Sequence, residues 1–456
     1  MRILCAGHER MSEYPANPYG FPVDRGVLHR RIRERGLLAG AVGLGVVGLA
    51  TVHLSLYGAE PWDPVVIGGI ALAAFLVVHG ALCASGSEAD EIMLPIAAAL
   101  SAIGFVMIYR LRPEYLVRQA AWTALGLTAL LIILAIPHDL RWVRRYAYLC
   151  AAIGLALLAI TVIAGVERNG ARQWLLLGGV AVEPGEIVKL LLVAFFAGVL
   201  TEQRGTLMLP GRRRWRAELG RLGPMLLCCL GALLLLVFQH DLGLAMLYYG
   251  IFMVMLYIAT GRMDYVAIGL AAFVSGAALC YLWFGHVRVR VDVWVDPWAD
   301  ASGGGYQILQ GLYALATGGI LGTGLGAGHP TLMPASYTDM IFPAIGEELG
   351  AVGTFCVTAL YLILVGRMFR TAMLARGAFE ALMAAGLATA LGLQAFVILG
   401  GSTRLIPLTG IPAPFLTYGG SAAVANFIAL ALLLGVSART AGRRHQVEAL
   451  RGAADR

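Results

Sequence analysis

Long apolar runs separated by polar connections occupy most of this chain. Twelve of them approach the roughly 20 residues a helix needs to cross a bilayer: Leu37–Tyr57, Val65–Ser85, Ile92–Tyr109, Ala120–Pro137, Tyr146–Val166, Glu186–Thr201, Pro224–Phe238, Leu242–Thr260, Tyr265–Phe284, Ile341–Gly366, Ala381–Leu399 and Gly419–Val436. Alternating strand patterns are absent, so the pattern predicts an all-α polytopic membrane helix bundle and not a barrel. One connection differs from the rest. Residues 285–340 are rich in glycine and polar positions, read as one large loop, and end in "PASYTDMIFPAIGEELG". A loop of that length is usually functional.

Composition strengthens this reading. With 59% hydrophobic and 13% charged residues, the chain cannot be a soluble globule, whose charged share is roughly 25%. Arginines cluster at Arg25–Arg35, Arg141–Arg145, Arg204–Arg221, Arg367–Arg376 and Arg439–Arg451, in alternate connections. The positive-inside rule then places those connections and both termini in the cytoplasm and residues 285–340 outside. No small-residue cleavage site follows the first run, so no signal peptide is read, and residues before Met11 are expected to be a disordered extension. The boundaries expected are a tail (1–36), two additional N-terminal spans (37–91), a ten-helix core (92–437) and a basic tail (438–456). The net charge of +7 is ordinary for such a protein and gives no reason to expect nucleic acid. The cysteines form no metal-ligand or disulfide pattern.

The arginines that break the rule are more telling. Arg110, Arg112, Arg118, Arg168, Arg172, Arg288, Arg290 and Arg404 all fall at predicted outer helix ends. A guanidinium offers a fixed fork of donors matched to phosphate oxygens, which points to an anionic ligand; snorkelling to lipid headgroups is the alternative. Lys189 is the single lysine among 34 basic residues. It follows Glu183 and Glu186 at three-residue steps, with Pro184 fitting a first helical turn, so Glu186 and Lys189 share a face. That pair reads either as a ligand site or as a buried ion pair joining helices.

The blocks "NGARQW" (Asn169–Trp174), "EPGEIVK" (Glu183–Lys189), "QHDLG" (Gln239–Gly243), "DPWADASGGGYQ" (Asp296–Gln307), "TDMIFPAIGEELG" (Thr338–Gly350) and "PLTGIPAPFLTYGGS" (Pro407–Ser421) occur in one order. In that combination the chain resembles the SEDS family of bacterial cell-wall polymerases (RodA, FtsW, SpoVE) from about Gly104 to Asn426. "TRLIPLTG" is closer to the RodA branch found in actinobacteria. The resemblance implies a ten-helix core in the cytoplasmic membrane. It also implies an inverting peptidoglycan glycosyltransferase that polymerises lipid II at the outer face, releases undecaprenyl pyrophosphate and works with a class B penicillin-binding protein. Carried onto this chain, Asp339 becomes the catalytic base, exposed at the outer interface. Lys189, Glu186, Trp174, Arg172, Arg118, Arg288 and Arg290 become the substrate-binding candidates. No cofactor is certain; a divalent cation, Mg2+ or Mn2+, is an open expectation without a ligand set. A lipid flippase and a non-enzymatic scaffold are the rival readings.

Departures from the family pattern are local. The glutamate and histidine that usually precede the aspartate are replaced in Pro334-Ala335-Ser336-Tyr337-Thr338-Asp339, and "QPSE" has become "EPGE", which adds Glu183. From the residues alone, Asp339 could equally cap the helix expected from Ile341, and Trp174 could be an interfacial anchor. Gly322, Gly324 and Ala327 match a dinucleotide fingerprint, yet no βαβ unit surrounds them, so "GGILGTGLGAG" is read as a flexible or tightly turned part of the loop. Gly419, Gly420 and Ser421 are read as close helix contacts. Glu347, Glu348 and Asp241 are read as structural, with an arginine expected beside at least one glutamate because an unpaired carboxylate near mid-bilayer costs roughly 2.5–3.5 kcal/mol.

Overall fold

The computed structural model describes residues 25–58, 61–136, 140–168, 171–207 and 215–454. The described elements are α1 (Arg25–Leu56), α2 (Asp63–Ala84), α3 (Met93–Leu111), α4 (Leu116–Ala135), α5 (Arg141–Arg145), α6 (Ala147–Ala164), β1 (Val166–Arg168), β2 (Ala171–Leu177), β3 (Val180–Val182), α7 (Pro184–Leu207), α8 (Trp215–Phe238), α9 (Leu242–Thr260), α10 (Met263–Trp283), α11 (Gly285–Val295), α12 (Tyr306–Gly318), α13 (Ile341–Leu374), α14 (Ala378–Ser402) and α15 (Gly420–Ala454). Every predicted span has its helix: eleven are long and apolar enough to cross a membrane, and the twelfth, Leu222–Phe238 within α8, is shorter. α10 and α13 are joined by residues 284–340, and that side of the bundle is called the loop end below. In α3 and α7, 83% of the apolar window is buried, against 6% in α10, which puts the first two at the centre and α10 at the rim. α10 turns Leu270, Val274 and Leu282 outward, a surface that suits lipid chains.

Two expected boundaries move. α1 begins at Arg25, so the last part of the predicted 1–36 tail is helical, and α15 runs on to Ala454 through most of the predicted C-terminal tail. The extension before Met11 lies outside the described residues. α1 is fastened to its neighbours at both ends. Arg31 pairs with buried Glu34 and donates to the carbonyls of Ser87 (2.7 Å) and Ala89 (3.2 Å), while His53 Nδ1 lies 2.8 Å from the Tyr109 hydroxyl.

The expected absence of strands is corrected. β1, β2 and β3 form a small antiparallel sheet in that order, with Arg172 opposite Glu167 and Leu177 opposite Val180. Gly178 and Gly179 supply the positive φ angles (58° and 83°) that a two-residue hairpin needs. Strands this short leave little periodicity to read.

Residues 285–340 are likewise not one loop. α11 and α12 lie within them, joined by a short 3-10 turn (Pro297–Asp300). α12 packs on α13 through Ile308, Leu309, Gly311 and Ala314. The glycine run that follows is tightly turned, with positive φ at Gly319, Gly322, Gly324 and Gly326. It pairs with a break in α13 that the predicted continuous helix overlooked. Gly350, at φ 66° and ψ −165°, interrupts the helix. The backbone groups released there find partners in the turn: Ala351 and Val352 donate to the carbonyls of Gly319 (2.9 Å) and Ile320 (3.2 Å), and Thr323 and Gly324 donate to those of Glu347 (2.9 Å) and Glu348 (3.0 Å). Non-helical backbone at membrane depth is tolerated only when satisfied in this way. The arginine expected beside a glutamate is Arg110. Its Nε lies 2.8 Å from Glu348 Oε1 and its Nη2 2.8 Å from the Gly328 carbonyl, while Glu347 accepts from His329 N at 2.7 Å.

Gly350→Ala is therefore expected to be severely destabilising. The added Cβ would lie 2.3 Å from Gly322 N in a conformation costing of order 1–3 kcal/mol for other residues. Gly366→Ala in the same helix meets nothing within 4 Å and serves as the neutral control. Melting temperatures of the two purified variants check this; equal values would contradict the account of the break.

Candidate active site

Four connections converge at the loop end. The turn before α13 is held by the Ala335 carbonyl, which accepts from Thr338 N and Met340 N, both at 3.1 Å. It presents Asp339 half-buried, not exposed as expected, because the 403–419 connection closes over it: a Cβ on Gly410 would stand 3.7 Å from Asp339 Oδ2. Burial pushes the Asp339 carboxyl up to about 6, while the positive charge of Arg290 and a hydrogen bond from the Thr338 hydroxyl pull it back down. Arg290, on α11, is itself held by the carbonyls of Thr409 (3.1 Å) and Leu408 (3.4 Å).

Two further carboxyls stand behind. Asp241 caps α9 by accepting from Leu244 N at 3.0 Å, and burial pushes it up to about 6 against that bond and Arg290. Glu183, just before α7, is buried; its backbone N–H donates to Ser421 Oγ at 3.1 Å. Its carboxyl is driven well above the ordinary range by burial, then by Glu186 and Asp241; Lys189 opposes and the charge of Asp339 adds to the rise. Glu183, Asp241, Arg290 and Asp339 thus belong to one electrostatic unit. Backbone strain gathers in the same region. His240, Ala335, Arg404 and Phe415 hold positive φ, each in a connection at the loop end, and such strain costs of order 1–3 kcal/mol per residue and tends to mark functional sites.

Aromatic rings line the approach. Tyr115, Tyr337 and Tyr418 form a cluster with centroids 4.7–6.1 Å apart, and Tyr418 N donates to the Tyr337 carbonyl at 3.2 Å. Arg112 lies 5.8 Å from the Tyr337 ring and the exposed Arg118 5.8 Å from that of Tyr115, with Arg118 also hydrogen-bonded to Tyr418. Tyrosine faces beside guanidinium groups suit a ligand that carries both sugar rings and phosphates.

The other predicted site residues scatter. Lys189 and Glu186 are completely buried beneath the acidic group. Lys189 Nζ contacts Glu186 Oε2 (2.6 Å), Gln394 Oε1 (2.6 Å) and Asn426 Oδ1 (3.3 Å), which leaves none of its three donors for a pyrophosphate in this conformation. Arg172 and Trp174 sit on β2, Arg172 exposed and 3.8 Å from Glu167, Trp174 half-buried and opposite Val166. Arg288 donates to the Leu282 carbonyl at 3.0 Å and lies over the Tyr281 ring. Arg290 alone of the predicted cations joins Asp339. The sequence reading missed Gln394, Asn426 and the tyrosine cluster; lone amides within apolar spans were the available signal for the first two. The close approach read at Gly420 is present, with a Cβ there standing 2.3 Å from the Trp122 indole. Among the described residues no group of three or more His, Cys, Asp or Glu could hold a metal ion.

A polytopic helical bundle with a paired turn in a broken helix and an acidic site under an aromatic rim defines the class. The family model described as FTSW_RODA_SPOVE, cell cycle protein, matches residues 90–442, and the chain belongs to that family. It is 40% identical over 424 residues to "Peptidoglycan glycosyltransferase RodA" of Mycobacterium tuberculosis, with 90% of each chain covered. It is 32% identical over 373 residues to "Probable peptidoglycan glycosyltransferase FtsW" of Geobacter metallireducens, covering 77% of this chain and 96% of that one. Among solved structures, a chain of "Structural coordination of polymerization and crosslinking by a peptidoglycan synthase complex" superposes with a TM-score of 0.66 at 28% identity, over 77% of this chain and 98% of that one. Thermus thermophilus rod shape determining protein RodA superposes with a TM-score of 0.57 at 28% identity, over 77% and 97%.

Lys189→Ala is expected to lower stability by about 3–5 kcal/mol, because it strands the buried Glu186 carboxylate. Lys189→Met combined with Glu186→Leu is expected to recover much of that loss, since an apolar pair needs no counter-charge. Thermal unfolding of both variants checks this, and a stable Lys189→Ala protein that had lost only substrate binding would contradict it.

Proposed function

We propose that this chain is a peptidoglycan glycosyltransferase that joins lipid II units into glycan strands, with its loop end at the outer face of a bacterial cytoplasmic membrane and both termini in the cytoplasm. The observation that carries the reading is Asp339: a half-buried carboxyl pushed up to about 6, beside Arg290 and below the tyrosine rim. A base works best when its pKa lies near the operating pH. Asp339 takes the proton of the acceptor sugar hydroxyl, and the hydroxyl oxygen attacks the donor anomeric carbon. The bond from that carbon to the pyrophosphate oxygen breaks, and the leaving group departs with the electron pair. Attack opposite the leaving group inverts the anomeric centre. Arg290, and Arg112 and Arg118 at the rim, face the developing negative charge.

A class B penicillin-binding protein is the proposed partner, consistent with the resemblance to a chain of a synthase complex that couples polymerization to crosslinking. A flippase or scaffold would need no acceptor base.

Asp339→Asn keeps the shape and loses the base, so polymerisation of lipid II by the purified, folded variant is expected to fall about 10²–10⁴-fold. Near-normal polymer from that variant, in a gel assay of glycan products, would defeat the assignment.

The pH profile follows from the same group. As a base Asp339 must be ionised, so kcat/KM is expected to rise about tenfold per pH unit below about 6 and level off above it. Stability has the opposite sign. A folded-state value above the unfolded ~3.9 means the contribution is present at low pH and is lost as pH climbs through about 6. Rates and melting temperatures measured between pH 4.5 and 8 check both signs, with the stability change reduced in Asp339→Asn and the remainder carried by Asp241 and Glu183.

A further inference from the structure

The end of the bundle opposite the loop carries a second polar site. A cavity of about 510 Å³ opens between α1, the α2–α3 connection, the end of α13 and α15. That volume lies within the ~300–1,000 Å³ typical of small-ligand sites. Its walls bear five arginines: Arg30 and Arg33 from α1, Arg367 and Arg370 from α13, and Arg376 just beyond. The lining carboxylates are Glu88, Asp90 and Glu91. Arg367 is committed to Asp90, with its Nε and Nη2 at 2.9 and 2.5 Å, and Asp90 N donates to Ser437 Oγ at 3.1 Å. That contact fixes the wall between the core and the α2–α3 connection.

Arg33, Arg370 and Arg376 have no such commitment. They are exposed, and no hydrogen bond or ion pair holds them among the described residues. Arginines that merely avoid hydrocarbon would point outward separately into water. These three, from two different helical segments, border one concave volume and place forked donors around it. Ser437 adds a hydroxyl on the α15 side, whereas the Thr440 hydroxyl donates to the Val436 carbonyl at 2.8 Å. Guanidinium forks match phosphate oxygens, and a basic pocket between transmembrane helices at a membrane surface suits a phospholipid head group.

We propose that this cavity binds a phosphate-bearing anion, which crosslinks the N-terminal helix α1 to α13 of the core. The shared chemistry is the phosphate; an anionic lipid head group and a free phosphate are its two sources. Because α1 contributes Arg30 and Arg33, an occupied site fastens the two additional helices to the core at the end where Arg31 and Glu34 already pair.

The test uses the full chain in nanodiscs. Its melting temperature is measured in phosphatidylcholine alone, in phosphatidylcholine with phosphatidylglycerol, and in phosphatidylcholine with inorganic phosphate. The subjects are the wild type, the triple variant Arg33→Gln/Arg370→Gln/Arg376→Gln, and the control Arg144→Gln/Arg145→Gln, which removes exposed arginines of α5. A rise with phosphatidylglycerol that the triple variant loses and the control keeps supports the site with a lipid as its source. The same pattern with inorganic phosphate alone supports it with a soluble source. No rise in the wild type, an equal rise in the triple variant, or an equal loss in the control overturns it. Should the triple variant fail to fold, the single variants Arg370→Gln and Arg376→Gln decide: each is expected to lose part of the rise, and an unchanged rise in both overturns the proposal.

Discussion

Burial of the Lys189 ammonium among Glu186, Gln394 and Asn426 is the constraint on which the site depends. A charge inside the bundle is tolerated only when its donors are all met, and here they are met by residues of α7, α14 and α15. Gln394 also reaches the Pro412 carbonyl at 2.9 Å, so the pair fixes the 403–419 connection from below. That connection supplies the carbonyls that hold Arg290 and the cover over Asp339. The single lysine is thus a foundation under the acidic group, with its donors met by Glu186, Gln394 and Asn426.

The acidic group has its own logic. Asp339, Asp241 and Glu183 are each driven up by burial, and Glu183 feels the other two carboxyls directly. Carboxyls so placed cannot all carry charge cheaply, and Arg290 is the cation that favours ionisation at both Asp241 and Asp339. A second positive group arriving with substrate or partner would change how protons are shared among them.

The helical architecture could be read from the sequence because hydrocarbon imposes one rule on every span, and all twelve runs became helices. What escaped was structure whose cause is not periodic. The break at Gly350 lies within an unbroken apolar run, and only the matching turn at Gly319–Gly324 makes it affordable. β2 is seven residues long, but its run Ala-Arg-Gln-Trp-Leu-Leu-Leu does not alternate. Asp339 was legible through its motif and Arg290 as one of the arginines that depart from the expected charge alternation. The aromatic rim was not, since Tyr115, Tyr337 and Tyr418 come from separated connections that only folding brings together. Lys189 stands out in the sequence for its rarity, while its complete burial and its partners on α14 and α15 become visible only in the fold.

The two additional N-terminal helices have a consequence beyond anchoring. A Cβ on Gly326 would stand 2.5 Å from Ser55 Oγ at the end of α1, and Leu325 packs against the cluster that contains Leu49, Val52 and Tyr109. α1 therefore forms a wall beside the turn that completes the broken helix α13. A ten-helix core cut before residue 90 would keep the Glu348 partners of the Gly324 and Gly326 N–H groups but lose the packing of Leu325 and the close approach of Ser55 to Gly326. In this chain α1 is a brace for that turn, and the break in α13 is held from two sides.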